Sequence, residues 1–467
     1  MTKLSATHKP VVFVELSLFI FVWLVCGLLI NTRNLEAFNL QQAGIESMVE
    51  RKQFSLEGSS TPQFQIKVYL YPDGKPFGDT FSYNGRQYAA KQPGQFMAGA
   101  LVYFLLHLFG LSYLNHYLLT AALISFFTSS FLTAVAAVVV FRIAREFTAA
   151  KTFWWPFVSA IVYAFGTTAF PYSGFAYHDS MASAFLLIAF YTALLLTRGD
   201  LTADRKKLLA ALTGLFLGLT VTTSMLPFFM AGVVAVYVFS LRQWNLLPYF
   251  VAGGIIGTSP LLVYNTVCFG NPLLQSYIAG DYPQSNLHFD LQNTIQKARL
   301  YVSELTLYDP LAWLGILGLA FLPPTLKRER LLIIALFAAQ FFQVLNIESH
   351  GGCHYGPRFL LPSLPYAAIG LTGFYYLRGK TTQWIIISIA AIAALISLGV
   401  NATGALIGAM YCDVQVFAFW PDLALVWSGA WHGLPLAKWL IIPAIISVAL
   451  MTYTIANLTS SSRTRVT

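Results

Sequence analysis

The chain has 467 residues, of which 57% are hydrophobic and only 10% charged, with a mean hydropathy of +0.64. A water-soluble domain carries about 25% charged residues, so a soluble enzyme or binding module is excluded. The net charge of +9 reads as a topology signal in the loops between apolar segments, not as a nucleic-acid footprint.

A run of about 20 apolar residues crosses a bilayer core. Twelve spans are predicted, near residues 11–30, 117–141, 153–170, 180–197, 208–224, 226–241, 246–267, 310–324, 331–346, 359–377, 383–402 and 438–456. The first is too long for a signal-peptide core and lacks a small-residue cleavage site, so it reads as a retained span. Seventeen of the 28 Lys and Arg residues then fall in short segments on one side, and 11 on the other, seven of them within 31–95. Positive charge marks the cytoplasmic side. Both termini are therefore expected in the cytoplasm, with the chain integral to the inner membrane. Outer segments are expected at 31–116, 268–309, 347–358 and 403–437, and 14 of the 19 acids lie on the outer side. The apolar stretch 94–110 reads as an interfacial helix, because counting it as a span would invert every later loop. Residues 1–467 thus form one all-α polytopic membrane domain of about twelve transmembrane helices, with a large first extracytoplasmic loop containing amphipathic juxtamembrane helices.

Ionisable residues are nearly absent from the spans, Glu15 near the cytoplasmic edge being the exception. Transporters place such groups at mid-membrane. Here the polar chemistry collects instead at the outer surface, in four clusters. In the first, "NTRNLEAFNLQQAGIESMVERKQF", Glu36 follows the first span, and a carboxylate desolvated at that depth is a better base. Its structural alternative is complementing a helix dipole. In the second, "GDTFSYNGRQYAAKQPGQF", the Asn-Gly pair reads as a hairpin turn. There Asp79 is open as a base, a metal ligand or a hairpin cap, and Lys91 as a phosphate contact or a headgroup anchor.

The third cluster, "FPYSGFAYHDSMASAF", puts His178 and Asp179 side by side where a helix begins. Asp179 is expected to be its N-cap, while the pair also suits a sugar hydroxyl or a divalent cation such as Mg or Mn. Two ligands are too few for a metal site on their own. The fourth, "ESHGGCHYGPRFLLPSLP", sets Arg358 at the start of a span. A guanidinium there offers a planar grip on phosphate, and His350, His354 and Tyr355 add donors around it. Of the cysteines, Cys26 reads as span packing, while Cys353 and Cys412 both fall outside, where a disulfide between them is permitted. No Walker loop, dinucleotide fingerprint or zinc spacing is present.

The order "YAAKQPG", "TTAFPYSGFAYHDSMASAF", "YNTVCFGNPLLQSY" and "GGCHYGPRFLLPSLP" after a long first loop resembles the GT-C glycosyltransferases. It is most similar to the bacterial branch related to protein O-mannosyltransferases and the lipid A aminoarabinose transferase. The resemblance covers most of residues 11 to 365. It implies transfer of a sugar from a polyprenyl-phosphate donor to a glycan, lipid or protein acceptor, with inversion. It implies further that a first-loop carboxylate deprotonates the acceptor, in the position of Glu36. The family commonly shows aspartate there, often followed by a second acid. Here glutamate precedes Ala37, which keeps Asp79 as a rival. Lys91 and Arg358 match positions that would hold the donor phosphate. Membrane lipids are the other expected partners, and nucleic acid is not one. A lipid-linked glycan ligase or polymerase, or a lipid-linked sugar transporter, are the alternative readings.

Overall fold

The computed structural model describes residues 9–65, 80–280, 287, 289–349, 352–409, 417–429 and 433–463. Its apolar runs are helical, as they must be where only a ladder internal to the segment can satisfy the backbone away from water. Helix α1 (Lys9–Leu28) leads into α2 (Thr32–Ala37), α3 (Asn39–Glu46) and a π turn at Ser47–Arg51. A hairpin, β1 (Thr80–Tyr83) and β2 (Arg86–Ala89), precedes α4 (Gly94–Leu108). Then α5 (Tyr113–Ser125), a π turn at Phe126–Ser130 and α6 (Phe131–Phe147) make one 35-residue run. Next come α7 (Trp154–Phe165), α8 (Ala169–Tyr172), α9 (His178–Leu195), α10 (Ala203–Thr223), α11 (Phe228–Ser240) and α12 (Leu247–Phe269). After α13 (Ser276–Ala279) stand α14 (Leu291–Tyr308), α15 (Pro310–Gly318), α16 (Lys327–Asn346) and α17 (Leu364–Gly370). The described chain closes with α18 (Lys380–Ile407), α19 (Phe419–Trp427) and α20 (Ala437–Arg463).

Among the described residues, eight helices are long and apolar enough to cross a membrane: α1, α5–α6, α9, α10, α12, α16, α18 and α20. Three more of the twelve expected spans have shorter counterparts in α7, α11 and α15. The span expected at 359–377 departs from a regular helix. Tight 3-10 turns at Arg358–Ser363 and Leu371–Tyr376 flank the seven residues of α17. Pro362 and Pro365 supply no N–H to an α-helical ladder there, and the backbone tightens instead. Two segments expected as plain loops also hold helices, with α13 and α14 inside 268–309 and α19 inside 403–437.

The Asn-Gly hairpin is present. Asn84 and Gly85 both take positive φ, 48° and 77°, which a two-residue turn matching the strand twist requires. Phe81 and Tyr88 face each other in register and pack with Tyr264 and Phe269, so the hairpin sits on the end of α12. The helix expected at 94–110 is α4. It buries Gln95, Phe96, Gly99 and Tyr103 and exposes Leu101, Phe104, Leu105 and Leu108, an apolar stripe at helical spacing. Helices α10 and α12 touch backbone to backbone. A Cβ on Gly214 would lie 1.9 Å from the Phe250 carbonyl oxygen.

The ends of the bundle are tied together. α20 packs along α1, and the Thr32 N–H donates to the Gly433 carbonyl at 3.0 Å. Asn34 Oδ1 accepts from the Ala409 N–H at 2.7 Å, and the Asn31 amide donates to the Ala405 carbonyl at 2.9 Å. Thus α2 is fastened by the end of α18 and the segment that follows it. Glu15 is held by Arg142 of α6 at 2.7 Å. Cys26 and Cys268 are buried free thiols, whereas Cys353 is disulfide-bonded. Cys412 lies outside the described residues.

Candidate active site

Tyr177 caps the start of α9 and is held by the π turn between α5 and α6. The Tyr177 N–H donates to Ser129 Oγ at 3.0 Å, and Ser130 Oγ donates to the Ser173 carbonyl at 2.8 Å. From the first loop, the Phe38 ring stacks on Phe175 at 4.2 Å and meets Tyr177 edge-on at 5.9 Å. From the late segment, the Arg358 guanidinium lies 5.7 Å from the Tyr177 ring centroid and 5.0 Å from that of Phe359. A cation over an aromatic face is attracted by the ring quadrupole. Tyr177 therefore joins two segments 320 positions apart, Phe38 and Arg358.

Acids gather around the same arginine. Tyr172 is fully buried, its hydroxyl accepts the Tyr355 N–H at 2.9 Å, and it feels the charges of Arg358, Glu304 and Asp179. Asp179 is 1% exposed; Ser224 Oγ donates to its Oδ1 at 2.7 Å and His178 Nε2 lies 3.4 Å away. The expected N-cap role of Asp179 is not found. Tyr177 holds the cap position and Asp179 stands inside the first turn.

Helix α14 presents its polar side inward. It buries Lys297, Tyr301, Glu304 and Tyr308, spaced so that they share one face, and exposes Leu291, Ile295, Val302 and Leu307. Glu304 Oε1 lies 3.1 Å from His354 Nε2, and Lys297 Nζ donates to the Ser349 carbonyl at 3.4 Å. Burial lowers the Lys297 pKa, opposed by Glu348, and raises that of Tyr301. Just past α14, Asp309 is wholly buried, and burial pushes its carboxyl up to about 7 against the opposing hydrogen bonds from Thr168. On α19, Asp422 is likewise raised to about 7 by burial, with Arg33 at 4.0 Å pulling the other way.

The structure brings Arg358, His178 and Asp179 into one cluster. Glu36 is exposed on α2, so the desolvation expected for it is not found; its link to the cluster runs through Phe38, two residues on. Lys91 is buried, and its carbonyl accepts from Ser276 Oγ at 3.3 Å. The Tyr355 hydroxyl donates to the Val400 carbonyl of α18 at 2.7 Å. Both ring nitrogens of His354 are engaged, Nδ1 with the Gly352 carbonyl at 2.6 Å and Nε2 with Glu304. Asp79 and His350 lie outside the described residues. Among the described residues, no group of three His, Cys, Asp or Glu side chains is placed to hold a metal ion. The His178–Asp179 pair alone does not fit the divalent cation considered for it. Sequence reading missed Tyr177, Tyr301, Glu304, Asp309 and Asp422. Only the α14 residues left a signal, a polar repeat at helical spacing in "KARLYVSELTLY".

No protein-family model and no curated protein matches the chain. Among solved structures, it is similar to ArnT from Cupriavidus metallidurans bound to undecaprenyl phosphate. That likeness has a TM-score of 0.51 and 14% identity, over 98% of this chain and 79% of the other. The chain has the ArnT fold. The apo form of ArnT gives the same TM-score, with 15% identity over 96% of this chain and 75% of the other. A weaker likeness, at TM-score 0.47 and 14% identity over 88% and 57% of the two chains, is to the archaeal oligosaccharyltransferase AglB from Archaeoglobus fulgidus. The all-α polytopic architecture expected from the sequence is met by the ArnT likeness, which extends through α18 and α20, where no motif was recognised.

Proposed function

We propose that the chain is an integral-membrane glycosyltransferase that moves a hexosyl or pentosyl unit from a polyprenyl-phosphate donor to an acceptor hydroxyl. The transfer takes place at the extracytoplasmic face of the inner membrane, with inversion. The observation that carries this reading is the position of Arg358. Its cation lies over Tyr177 in a setting of buried acids, in a chain with the fold of a protein whose crystal structure holds undecaprenyl phosphate.

Charge dictates the roles. The donor is a phosphodiester with one negative charge; when its anomeric C–O bond breaks, the electron pair stays on phosphate and the leaving monoester gains a second. Arg358 would stabilise that added charge, and Lys91 is the second proposed contact. The acceptor oxygen attacks the anomeric carbon from the opposite side while a first-loop carboxylate, Glu36 or Asp79, takes its proton. The exposure of Glu36 suits a base that meets an acceptor arriving from water. The acceptor is a glycan, lipid or protein hydroxyl, and no step here is routed through a metal.

The test is reconstitution. Purified protein in lipid nanodiscs, given undecaprenyl-phosphate-linked sugars and candidate acceptors, should release undecaprenyl phosphate in step with glycosylated product. Movement of an unaltered lipid-linked sugar between leaflets, with no release, would make the chain a transporter. Joining of preformed oligosaccharides only would make it a ligase.

A further inference from the structure

Two side chains on the buried face of α14 have no part in the transfer step above. The Tyr301 hydroxyl and Glu304 Oε2 are buried without a hydrogen-bond partner among the described residues. Asp179 Oδ2 is a third such atom, and the charges of Asp179, Glu304 and Arg358 all act on the one hydroxyl of Tyr172. Tyr301, Glu304 and Asp179 are 1%, 7% and 1% exposed. Some nine in ten buried polar groups in folded proteins are hydrogen-bonded, and leaving one unmade costs about 1–3 kcal/mol. Tyr301 and Glu304 stand about one turn apart on the buried face of α14, and Glu304 and Arg358 both act on the Tyr301 hydroxyl, so their unmade hydrogen bonds point to an absent partner.

The chemistry of the group narrows that partner. A second anion would be repelled by the Glu304 and Asp179 carboxylates, and a metal ion by the Arg358 guanidinium. A neutral molecule with several hydroxyls suits such atoms. Each carboxylate oxygen accepts an O–H, and the tyrosine hydroxyl both donates and accepts. Glu304 is also held in place. The Gly352 carbonyl can only accept, so His354 Nδ1 donates to it; a proton shared between Nε2 and Glu304 Oε1, 3.1 Å apart, then completes the pair and fixes the carboxyl.

We propose that the buried face of α14 is the sugar-binding wall of this site. Glu304 and Tyr301 hydrogen-bond the hydroxyls of the donor's hexose or pentose, while Arg358 holds its phosphate, and His354 is the positioning residue for Glu304. This deepens the donor reading above and rests on it.

Binding in nanodiscs of phosphatidylethanolamine and phosphatidylglycerol separates the two claims. The probes are undecaprenyl phosphate without sugar and the same lipid carrying mannose, glucose, N-acetylglucosamine or arabinose. The expected result is that Tyr301→Phe and Glu304→Gln, which keep side-chain shape, each weaken binding of the preferred glycosylated lipid about tenfold or more. Binding of bare undecaprenyl phosphate should be unchanged. Equal loss for both lipids, or loss for neither, overturns the sugar wall and leaves the donor reading standing. Wild type that binds neither lipid overturns the donor reading itself. His354→Ala should erase the preference for the glycosylated lipid, and His354→Gln, whose amide can still donate to Glu304, should restore part of it. No restoration removes His354 from the positioning role.

Discussion

The Asp309 carboxylate is buried against Thr168, accepting the Thr168 N–H at 2.6 Å on one oxygen and the Thr168 hydroxyl on the other. Burial still dominates and raises its pKa from 3.8 to about 7. The folded chain therefore holds this proton more tightly than the unfolded one, and stability falls as pH rises through that interval. At 1.36 kcal/mol per unit, the full effect is on the order of 4 kcal/mol. Asp422 acts in the same direction. The thermal midpoint in detergent should drop between about pH 4 and 7. Asp309→Asn, which keeps an oxygen for the Thr168 N–H, should flatten that drop. An equally steep profile in the variant would mean Asp309 does not hold the proton.

Arg358→Ala should remove most sugar transfer. A guanidinium about 4 Å from the developing charge contributes roughly 4 kcal/mol at an effective dielectric near 20, which bounds the loss at about a thousandfold. Only the part that differs between ground and transition states appears in the rate. Arg358→Lys should fall between, since an ammonium keeps the charge but not the planar fork that also lies over Tyr177. Initial rates of undecaprenyl phosphate release measure both, and an Arg358→Ala rate equal to wild type would end the assignment.

Removing the acceptor's base should lower kcat by about 10²–10⁴ and leave donor KM largely unchanged. Glu36→Gln and Asp79→Asn are the two variants to compare. Full turnover in both would move the base to another carboxylate, with Asp179 the first to examine.

Packing between α10 and α12 gives a stability prediction independent of function. Gly214→Leu must push the helices apart, because even its Cβ would collide with the Phe250 carbonyl. Overpacking of a close contact costs about 1–3 kcal/mol, and occasionally more. Gly232→Ala on α11 meets nothing within 4 Å and should be harmless. Detergent-solubilised yield and melting temperature of the two variants should separate clearly; equal values would show that the interface gives way easily.

The apolar segments and the Asn84–Gly85 turn could be read from residue order, because hydropathy and turn chemistry are local. The inward polar face of α14 was hidden for a physical reason. Mixed polar and apolar residues between two spans look like a solvated loop, and only neighbours distant in sequence reveal which side is buried. The same holds for Asp309 and Asp422, whose raised pKa values come from burial, and for Tyr355, whose hydroxyl finds its acceptor 45 residues away. The broken span after Arg358 was foreshadowed by Pro362 and Pro365, but hydropathy, which scores composition, gave them no weight.

The hydrogen bonds that tie Asn31, Thr32 and Asn34 to the end of α18 and to the stretch between α18 and α20 bear on when the proposed transfer could first begin. Chains emerge from the ribosome amino end first, so α2 is made early but lacks its fasteners until α18 and the stretch before α20 have been made. A stalled nascent chain ending before Ala405 would carry Arg358, Glu304 and Glu36 yet leave α2 unmoored. If the proposed transfer needs α2 in place, such membrane-inserted intermediates stay silent until the last helices have been made.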